Sequence, residues 1–497
     1  MSDLSNQMNA RLEKLERIRS LGLNPYPYRF EKTITVKEVQ EQQETLIEEE
    51  REVSLCGRLL AFRRQGKTAF CNLKDEQYRI QLYVSKNVVG EEPYEAFKCL
   101  DLGDFIGVHG VAFKTRTGEL SINVKRFEIL CKATRPLPVP KEKTVDGQKV
   151  VYDQFKNVEQ RYRQRYVDLV LNDDVVDVFK KRSLIFKTIR NYLERNGFLE
   201  VETPTLQSIY GGASAKPFET HHNALDMKLY LRISNELYLK RCIVGGIDRV
   251  YEIVKDFRNE GIDRTHNPEF TRVEYYQAYA DYNDMMVHFE NIYSEACVAV
   301  NGTTKISYQG IELDLTPPWQ RMTMKDAIKQ YAGFDIDDKS DDELISILKS
   351  KGVEIKGNYS RGLAIAEVFE AFCEEHLIQP VFITDHPVET TPLCKMHRKE
   401  EGLVERFEPY MCGWELGNAY SELNDPIVQR QLLQDQVERG RGGEEETHPM
   451  DEDFIQAIEY GMPPTGGTGL GIDRMVMLLT DQATIRDVIL FPLMREI

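Results

Sequence analysis

Five strand-like runs, at 53–60, 68–73, 79–84, 105–113 and 120–127, follow one another closely, with Gly66-Lys67 and Thr117-Gly118 as turns. Five strands within about 80 residues suggest a small barrel. Pro136, Pro138 and Pro140, then a polar stretch to Gly147, end the pattern. The block 51–145 therefore reads as a domain of its own.

Its flanks differ from it and from each other. Residues 1–50 are expected to be helical: Leu12, Leu15, Ile18 and Leu21 recur at helical spacing, with Arg11, Lys14, Arg17 and Arg19 between them. Asn24-Pro25 is the expected stop. The run Glu48-Glu49-Glu50-Arg51-Glu52 reads as a solvated face. The remainder, 146–497, mixes helices and long strands without regular alternation, which predicts an α+β domain with a large antiparallel sheet flanked by helices. Within it 323–400 reads as a mainly helical insertion, its clearest helix over 337–350. For 51–145 the oligonucleotide-binding (OB) fold is a candidate.

The formal net charge of −17 argues against general nucleic-acid affinity, although binding depends on local patches rather than totals. No run approaches the roughly 20 apolar residues of a membrane helix. The first residues are polar and lack a secretion-signal core, so a cytoplasmic location without membrane contact is expected. The nine cysteines are odd in number and none is spaced as CxxC, which points to reduced, buried thiols.

Two glycine-rich segments resemble nucleotide loops and fail as such. Gly66-Lys67-Thr68 lacks the glycine a P-loop needs five residues earlier, where Ala61 stands. Gly466-Gly467-Thr468-Gly469-Leu470-Gly471 follows Pro463-Pro464 rather than a strand, and no βαβ unit surrounds it.

Four constellations carry chemistry. In the first, Phe257 to Glu260 and Glu269 to Tyr276 read as two strands joined by a loop holding His266-Asn267-Pro268. Strand alternation then puts Arg258 with Glu260, and Phe270 with Arg272, Glu274 and Tyr276. Such faces suit an adenine on Phe270 and a phosphate or carboxylate on Arg258; a solvent-exposed charged hairpin is the plain alternative. In the second, Glu405 to Tyr410 and Trp414 to Glu422 read as another hairpin, in which Glu408 and Glu415 face each other and suit Mg²⁺. Parity breaks between Glu415 and Asn418, which a bulge at Gly417 would explain. An edge strand with scattered charge is the alternative. In the third, Arg474 sits where a glycine-rich strand end passes into a helix, suited to a triphosphate or to a surface salt bridge. In the fourth, Gly211-Gly212 permits close backbone approach to a ligand, with Glu236 further on.

Together these segments resemble the three motifs of class II aminoacyl-tRNA synthetases. Motif one resembles Gly197 to Pro204, motif two Phe257 to Tyr276, and motif three Gly467 to Met477. The resemblance is closest to the lysyl-tRNA synthetases, through Gln160 to Leu169, Pro217-Phe218 with Thr220 to Asn223, and Gly461 to Gly467. It implies an OB-fold anticodon-binding domain followed by the catalytic domain, a homodimer, and the ATP-dependent activation of lysine with transfer to its tRNA. It further implies catalytic roles for Arg258 and Arg474, with Glu260, His266, Asn267, Phe270 and Glu408 also holding ATP, and Glu408 and Glu415 holding Mg²⁺. Gly212, Glu236, Arg258, Glu274, Tyr276, Asn418, Tyr420 and Glu422 would bind lysine, and Phe70, Gln81 and Glu119 would read the anticodon. Phe70 as plain barrel core competes with that last role.

Ala419-Tyr420 departs from the glycine-phenylalanine of many bacterial relatives but keeps an aromatic wall. Three rivals stand beside this reading: an aspartyl or asparaginyl enzyme, a ligase that modifies protein, and an inactive RNA-binding relative. The acidic pocket, the retained barrel and the intact arginine–glutamate set weigh against them in turn.

Overall fold

The computed structural model describes residues 2–139, 141–145, 148–152, 155–353, 359–441 and 448–496. The chain folds as two compact units, Met1–Val176 and Asp177–Ile497. In the first unit, β1 (Glu52–Gln65), β2 (Thr68–Asp75), β3 (Tyr78–Ser85), β4 (Phe105–Lys114) and β5 (Leu120–Cys131) close a barrel in the order β1-β2-β3-β5-β4. All pairs are antiparallel except β3 with β5. Alternation along β2 sends Ala69, Cys71 and Leu73 inward to meet Leu55, Leu82 and Val108, and leaves Phe70 and Asn72 outside.

Helices Ser2–Ser20, Val36–Glu41 and Gln43–Glu48 precede the barrel. The first ends at Gly22, not at Asn24-Pro25. Gly22 adopts φ 74°, and the Leu23 amide donates to the Ile18 carbonyl at 3.3 Å, closing the helix before the proline is reached. Between β3 and β4 the helices Lys86–Val89 and Glu91–Lys98 fill a stretch the strand pattern passes over; Phe97 packs edge-on against Phe62 and Phe127. The polar stretch after the prolines forms a two-stranded ribbon, β6 (Lys141–Val145) with β7 (Gln148–Tyr152); Pro140 and Gly147 lie outside the described residues.

The second unit holds β8 (Leu199–Glu200), β9 (Leu206–Gln207), β10 (Glu219–His222), β11 (Met227–Leu231), β12 (Arg249–Phe257) and β13 (Glu269–Ala278). It continues with β14 (Lys305–Tyr308), β15 (Ile311–Asp314), β16 (Gln320–Thr323), β17 (Val381–Pro387), β18 (Leu403–Met411), β19 (Trp414–Glu415), β20 (Gly417–Ser421) and β21 (Thr465–Gly471). Nine of these make one sheet in the order β16-β17-β18-β20-β21-β13-β12-β8, with β19 on β18. The sheet is mixed: its interior pairs are antiparallel, but β16 runs parallel to β17 and β8 to β12. The helix Tyr282–Asn301 covers one face, where Phe289, Tyr293, Trp319, Phe382 and Phe407 form an aromatic core.

The stretch 323–400 is only partly an insertion. Its helices Asp341–Ser350 and Arg361–Phe372 pack together, but β17 is an integral strand of the main sheet. Asp337 and Asp338 belong to a separate 3-10 turn. The helix begins at Asp341 because Ser340 and Glu343 cap each other's backbone amides.

Candidate active site

Strand β21 makes the floor. Its neighbours bring residues into rows: Asn418 beside Gly469 beside Glu274, and Tyr420 beside Gly467 beside Tyr276. Thr468 and Leu470 turn into the core, so Gly467, Gly469 and Gly471 share the opposite face. A Cβ at Gly467 would overlap Glu422 Oε1 and the Tyr276 ring. The glycines that imitate a dinucleotide loop in the sequence thus form a central antiparallel strand with no side chains on its working face. Above it opens a cavity of about 410 Å³, and every residue that the sequence nominates for lysine, ATP or metal lines it.

The cavity has a basic side. Arg258 is not on the strand, as alternation suggested: β12 ends at Phe257, and Arg258 and Glu260 start a loop that returns at Pro268, whose carbonyl accepts the Arg258 amide at 2.9 Å. The register pairs Phe257 with Glu269 and so sets Arg258 opposite Pro268, which has no N–H to return, and the ladder ends there. The Arg258 guanidinium lies 5.2 Å from the centre of the Phe270 ring, and its Nε is buried without a hydrogen-bond partner. Burial and then Arg272 work against its charge, while Asp256, Glu260 and Glu415 support it. Asn267 Nδ2 donates to the Glu269 carbonyl at 2.6 Å and its Oδ1 is unpartnered. His266 Nδ1 pairs with Asp263 at 2.7 Å, leaving Nε2 to accept from Arg474 at 3.1 Å. The Asp263 carboxyl is pulled down to about 2: its partial burial raises it, but the Thr265 and His266 amides and the imidazole outweigh that. Arg474 also donates to the Glu415 carbonyl, so one guanidinium ties together both motif loops.

Glu408 and Glu415 are diagonal neighbours rather than directly opposed, because Glu415 pairs with Tyr410. The parity break is real and falls between Leu416, which keeps the register of Glu415, and Ala419, an interval that holds the expected Gly417. Tyr410 pairs with Glu415 but Phe407 with Ala419, and the Leu416 amide donates to the Pro409 carbonyl at 2.8 Å. Glu408 takes Arg406 at 2.5 Å and the Tyr410 hydroxyl at 2.9 Å. Burial first, then Glu408, raise the Glu415 carboxyl. Glu370 and Glu374, from the insertion, join this cluster, and burial together with the neighbouring carboxylates pushes both up to about 7. They are absent from the sequence reading because nothing local marks a helix in an insertion as facing a hairpin.

The acidic side is built from buried groups. Glu274 accepts from Ser234 at 3.2 Å, from Tyr276 at 3.3 Å and from Arg272, which Asp256 also holds. Gly212, at φ 82°, is packed rather than open: a Cβ there would sit 2.8 Å from Ser234 Oγ and 3.0 Å from Glu236 Cβ. Asn418 accepts from Arg406 at 2.9 Å and donates to the Tyr420 hydroxyl at 2.6 Å. Glu422 is 1% exposed, and its Oε1 has no hydrogen-bond partner. Burial, then Glu236, push it up to about 8 against the pull of Lys240. Lys240, Arg272, Ser234 and Arg406 all act here, and the sequence reading gave none of them a role. Lys240 had one available signal, since it stands four residues after Glu236 and so on the same helix face.

In the barrel the outer face carries all three anticodon candidates. Phe70 is half-buried against Tyr83 at 5.1 Å, not in the core, and Tyr83 in turn meets Phe113 at 6.1 Å. Gln81 Nε2 donates to Glu119 at 2.9 Å, and Ser121 donates to Gln81 Oε1 at 2.9 Å. Tyr83 and Phe113 extend this row beyond the sequence reading; period-two alternation from Phe70 and Gln81 could have found Tyr83.

A family model for class II tRNA synthetases (D, K and N) matches residues 157–495, and one for the OB-fold nucleic-acid-binding (tRNA anti-codon) domain matches 53–130. The chain is 51% identical over 493 residues to a lysine–tRNA ligase of Clostridium botulinum (strain Langeland), covering 98% of this chain and 95% of that one. It is 50% identical over 490 residues to the lysine–tRNA ligase of Clostridium novyi, covering 98% and 94%. It is 49% identical over 495 residues to that of Thermoanaerobacter sp. (strain X514), covering 99% and 97%. With the motif strands, the glycine floor and the barrel all in place, the chain belongs to the class II tRNA synthetase family of the D, K and N type.

Proposed function

We propose that the chain is a lysine–tRNA ligase: it joins lysine to ATP as lysyl-adenylate, releasing pyrophosphate, and then transfers lysine to the 3′ end of its tRNA. One observation carries the choice of lysine. Glu422 is a buried carboxylate lining the cavity with an unpartnered oxygen, opposite a basic side where Arg258 Nε is also unpartnered. Lys240 is shared between Glu236 and Glu422, so with both carboxylates ionised the buried set carries one negative charge, which a cationic ligand offsets. An aspartate or asparagine side chain would leave it unpaired.

The activation step is attack of the lysine carboxylate on the α-phosphorus of ATP with pyrophosphate leaving. Arg258, which leads out of β12 into the loop, would bridge carboxylate and α-phosphate and hold them for in-line attack. Arg474, His266, Glu260, Asn267 and Phe270 would hold the rest of the nucleotide. Mg²⁺, once bound with ATP, supplies charge neutralisation on the phosphates. Glu408 and Glu415 fit such an ion: they lie diagonally on one hairpin, and Glu415 is raised by Glu408 as unbalanced buried carboxylates are. Glu236, Glu274, Tyr276, Asn418, Tyr420 and Gly212 would enclose lysine.

Phe70, Gln81 and Glu119, with Tyr83 and Phe113, form the face that would take anticodon bases by stacking and edge hydrogen bonds. A homodimer and a cytoplasmic location belong to the same reading. Leu199 and Leu206 are 53% and 49% exposed, and Leu199 lies on β8 at the sheet edge, where motif one falls. Among the described residues no helix is long and apolar enough to cross a membrane. Lysine-dependent exchange of pyrophosphate into ATP, compared with aspartate, asparagine and arginine, tests the assignment. Exchange with lysine alone supports it; exchange with none of them sinks it.

A further inference from the structure

Behind the acidic side of the cavity lies a cation that does not line it. Lys240, on the helix Glu236–Val244, is 0% exposed. Its Nζ donates to Glu236 Oε1 at 2.7 Å and forms an ion pair with Glu422 Oε2. Glu236 and Glu422 both line the cavity, so the buried ammonium joins two lining carboxylates from the rear. Glu422 therefore has one oxygen engaged inside the protein and one, Oε1, free.

Among the described residues, several groups packed around this triad are neutral, and others are paired elsewhere. Tyr276 from β13 and Tyr420 from β20 are held protonated by burial, as is the Cys394 thiol, whose residue bridges to Glu422. His448, beside Lys240, is pushed down to about 4 by burial and by that cation, and is neutral. Glu274 belongs to Arg272, which Asp256 shares. With both carboxylates ionised, Glu236, Lys240 and Glu422 sum to one negative charge. One arriving ammonium makes the set neutral. Without Lys240 the same space would hold two uncompensated buried carboxylates, which remain charged only at great cost and take up a proton instead.

We infer that Lys240 is a positioning residue for substrate selection: an internal ammonium that favours the ionised form of Glu422 and holds its Oε1 turned to the cavity, so that the site accepts one further cation, the side-chain ammonium of the amino acid. This rests on the lysine reading of the cavity. A carboxylate that has lost its internal partner is protonated at neutral pH and cannot hold an ammonium; it regains that ability only when the solution is alkaline enough to remove the proton.

The test uses the full chain and lysine-dependent pyrophosphate exchange from neutral to alkaline pH, for the wild type, Lys240→Met and Lys240→Arg. Lys240→Met is expected to raise the lysine KM roughly 10- to 100-fold at neutral pH, the effect of a one- to two-unit rise in Glu422. The ATP KM is expected to stay put, and the deficit to shrink as pH rises. Lys240→Arg, which keeps the charge, is expected to keep the wild-type pH dependence even where its altered size raises KM. Lys240→Gln replaces the methionine variant should that one not fold. A deficit equal at every pH, or the same profile for the methionine and arginine variants, assigns Lys240 to packing and overturns the inference. Wild-type protein that exchanges with no lysine overturns the reading beneath it instead, so the two failures are distinct.

Discussion

The barrel face and the catalytic cavity use the same device, side chains of alternate residues on adjacent strands, and differ in solvent. On the barrel, Phe70, Gln81, Tyr83 and Glu119 are half-buried or exposed; Gln81 donates to Glu119, and Phe70 rests on Tyr83. The Glu119 carboxylate there is exposed to water, so it is not stranded. In the cavity, Glu236, Glu274 and Glu422 are buried at 4%, 2% and 1% exposure, and each ionised group must be matched. Burial makes mismatch expensive, so the unpartnered Glu422 oxygen and Arg258 Nε state what is missing. An exposed face can adapt to its ligand; a buried one has to be built for it.

The sharpest way to break this contrast is to neutralise Glu422. Glu422→Gln is expected to cost roughly 10⁴ in lysine kcat/KM, the scale for a polar pocket that loses its partner. A loss of only a few-fold would mean the cavity is no more demanding than the surface. Next comes Arg258→Gln, expected to lower the exchange kcat by about 10²–10³ with a smaller change in lysine KM, as for removal of a donor that acts on developing charge. If KM takes the whole loss, Arg258 binds without catalysing.

Gly467→Ala probes the floor. Its added methyl would meet Glu422 Oε1 and Tyr276, and overpacking of about 1–3 kcal/mol is expected to appear in the lysine KM rather than in the ATP KM. The smallest effect belongs to the open face. Phe70→Ala is expected to cost about 1–3 kcal/mol in tRNA binding, read as the KM for tRNA in aminoacylation, with RNA-free exchange as the reference. A matching fall in exchange would show that the barrel was damaged, not its face.

The same contrast explains what was legible in advance. Alternation put Phe270, Arg272, Glu274 and Tyr276 on one face correctly, because β13 is an unbroken strand. It misplaced Arg258 and Glu260, since the ladder stops at Phe257, and the signal for that is Pro268, which falls opposite Arg258 only once the register is known. The parity break near Gly417 was visible as an inconsistency, and the pairing of β18 with β19 and β20 puts it between Leu416 and Ala419. The insertion was bounded too widely because β17 opens on the short apolar run Val381-Phe382-Ile383, which periodicity alone does not tell from a buried helix segment.

By itself the sequence determined the five-strand barrel, the glycine-rich strand segment, the motif residues and so the family, because these depend on local alternation and on residue types at short spacing. Only the tertiary structure decided the charge balance of the site. Lys240 lies four residues from Glu236 in the chain, yet 182 numbers separate it from Glu422, and Glu370 and Glu374 come from a helical segment with no motif of its own. Electrostatic compensation acts through space and grows as water is excluded, so it is fixed by what folding brings together and not by what stands nearby in the chain.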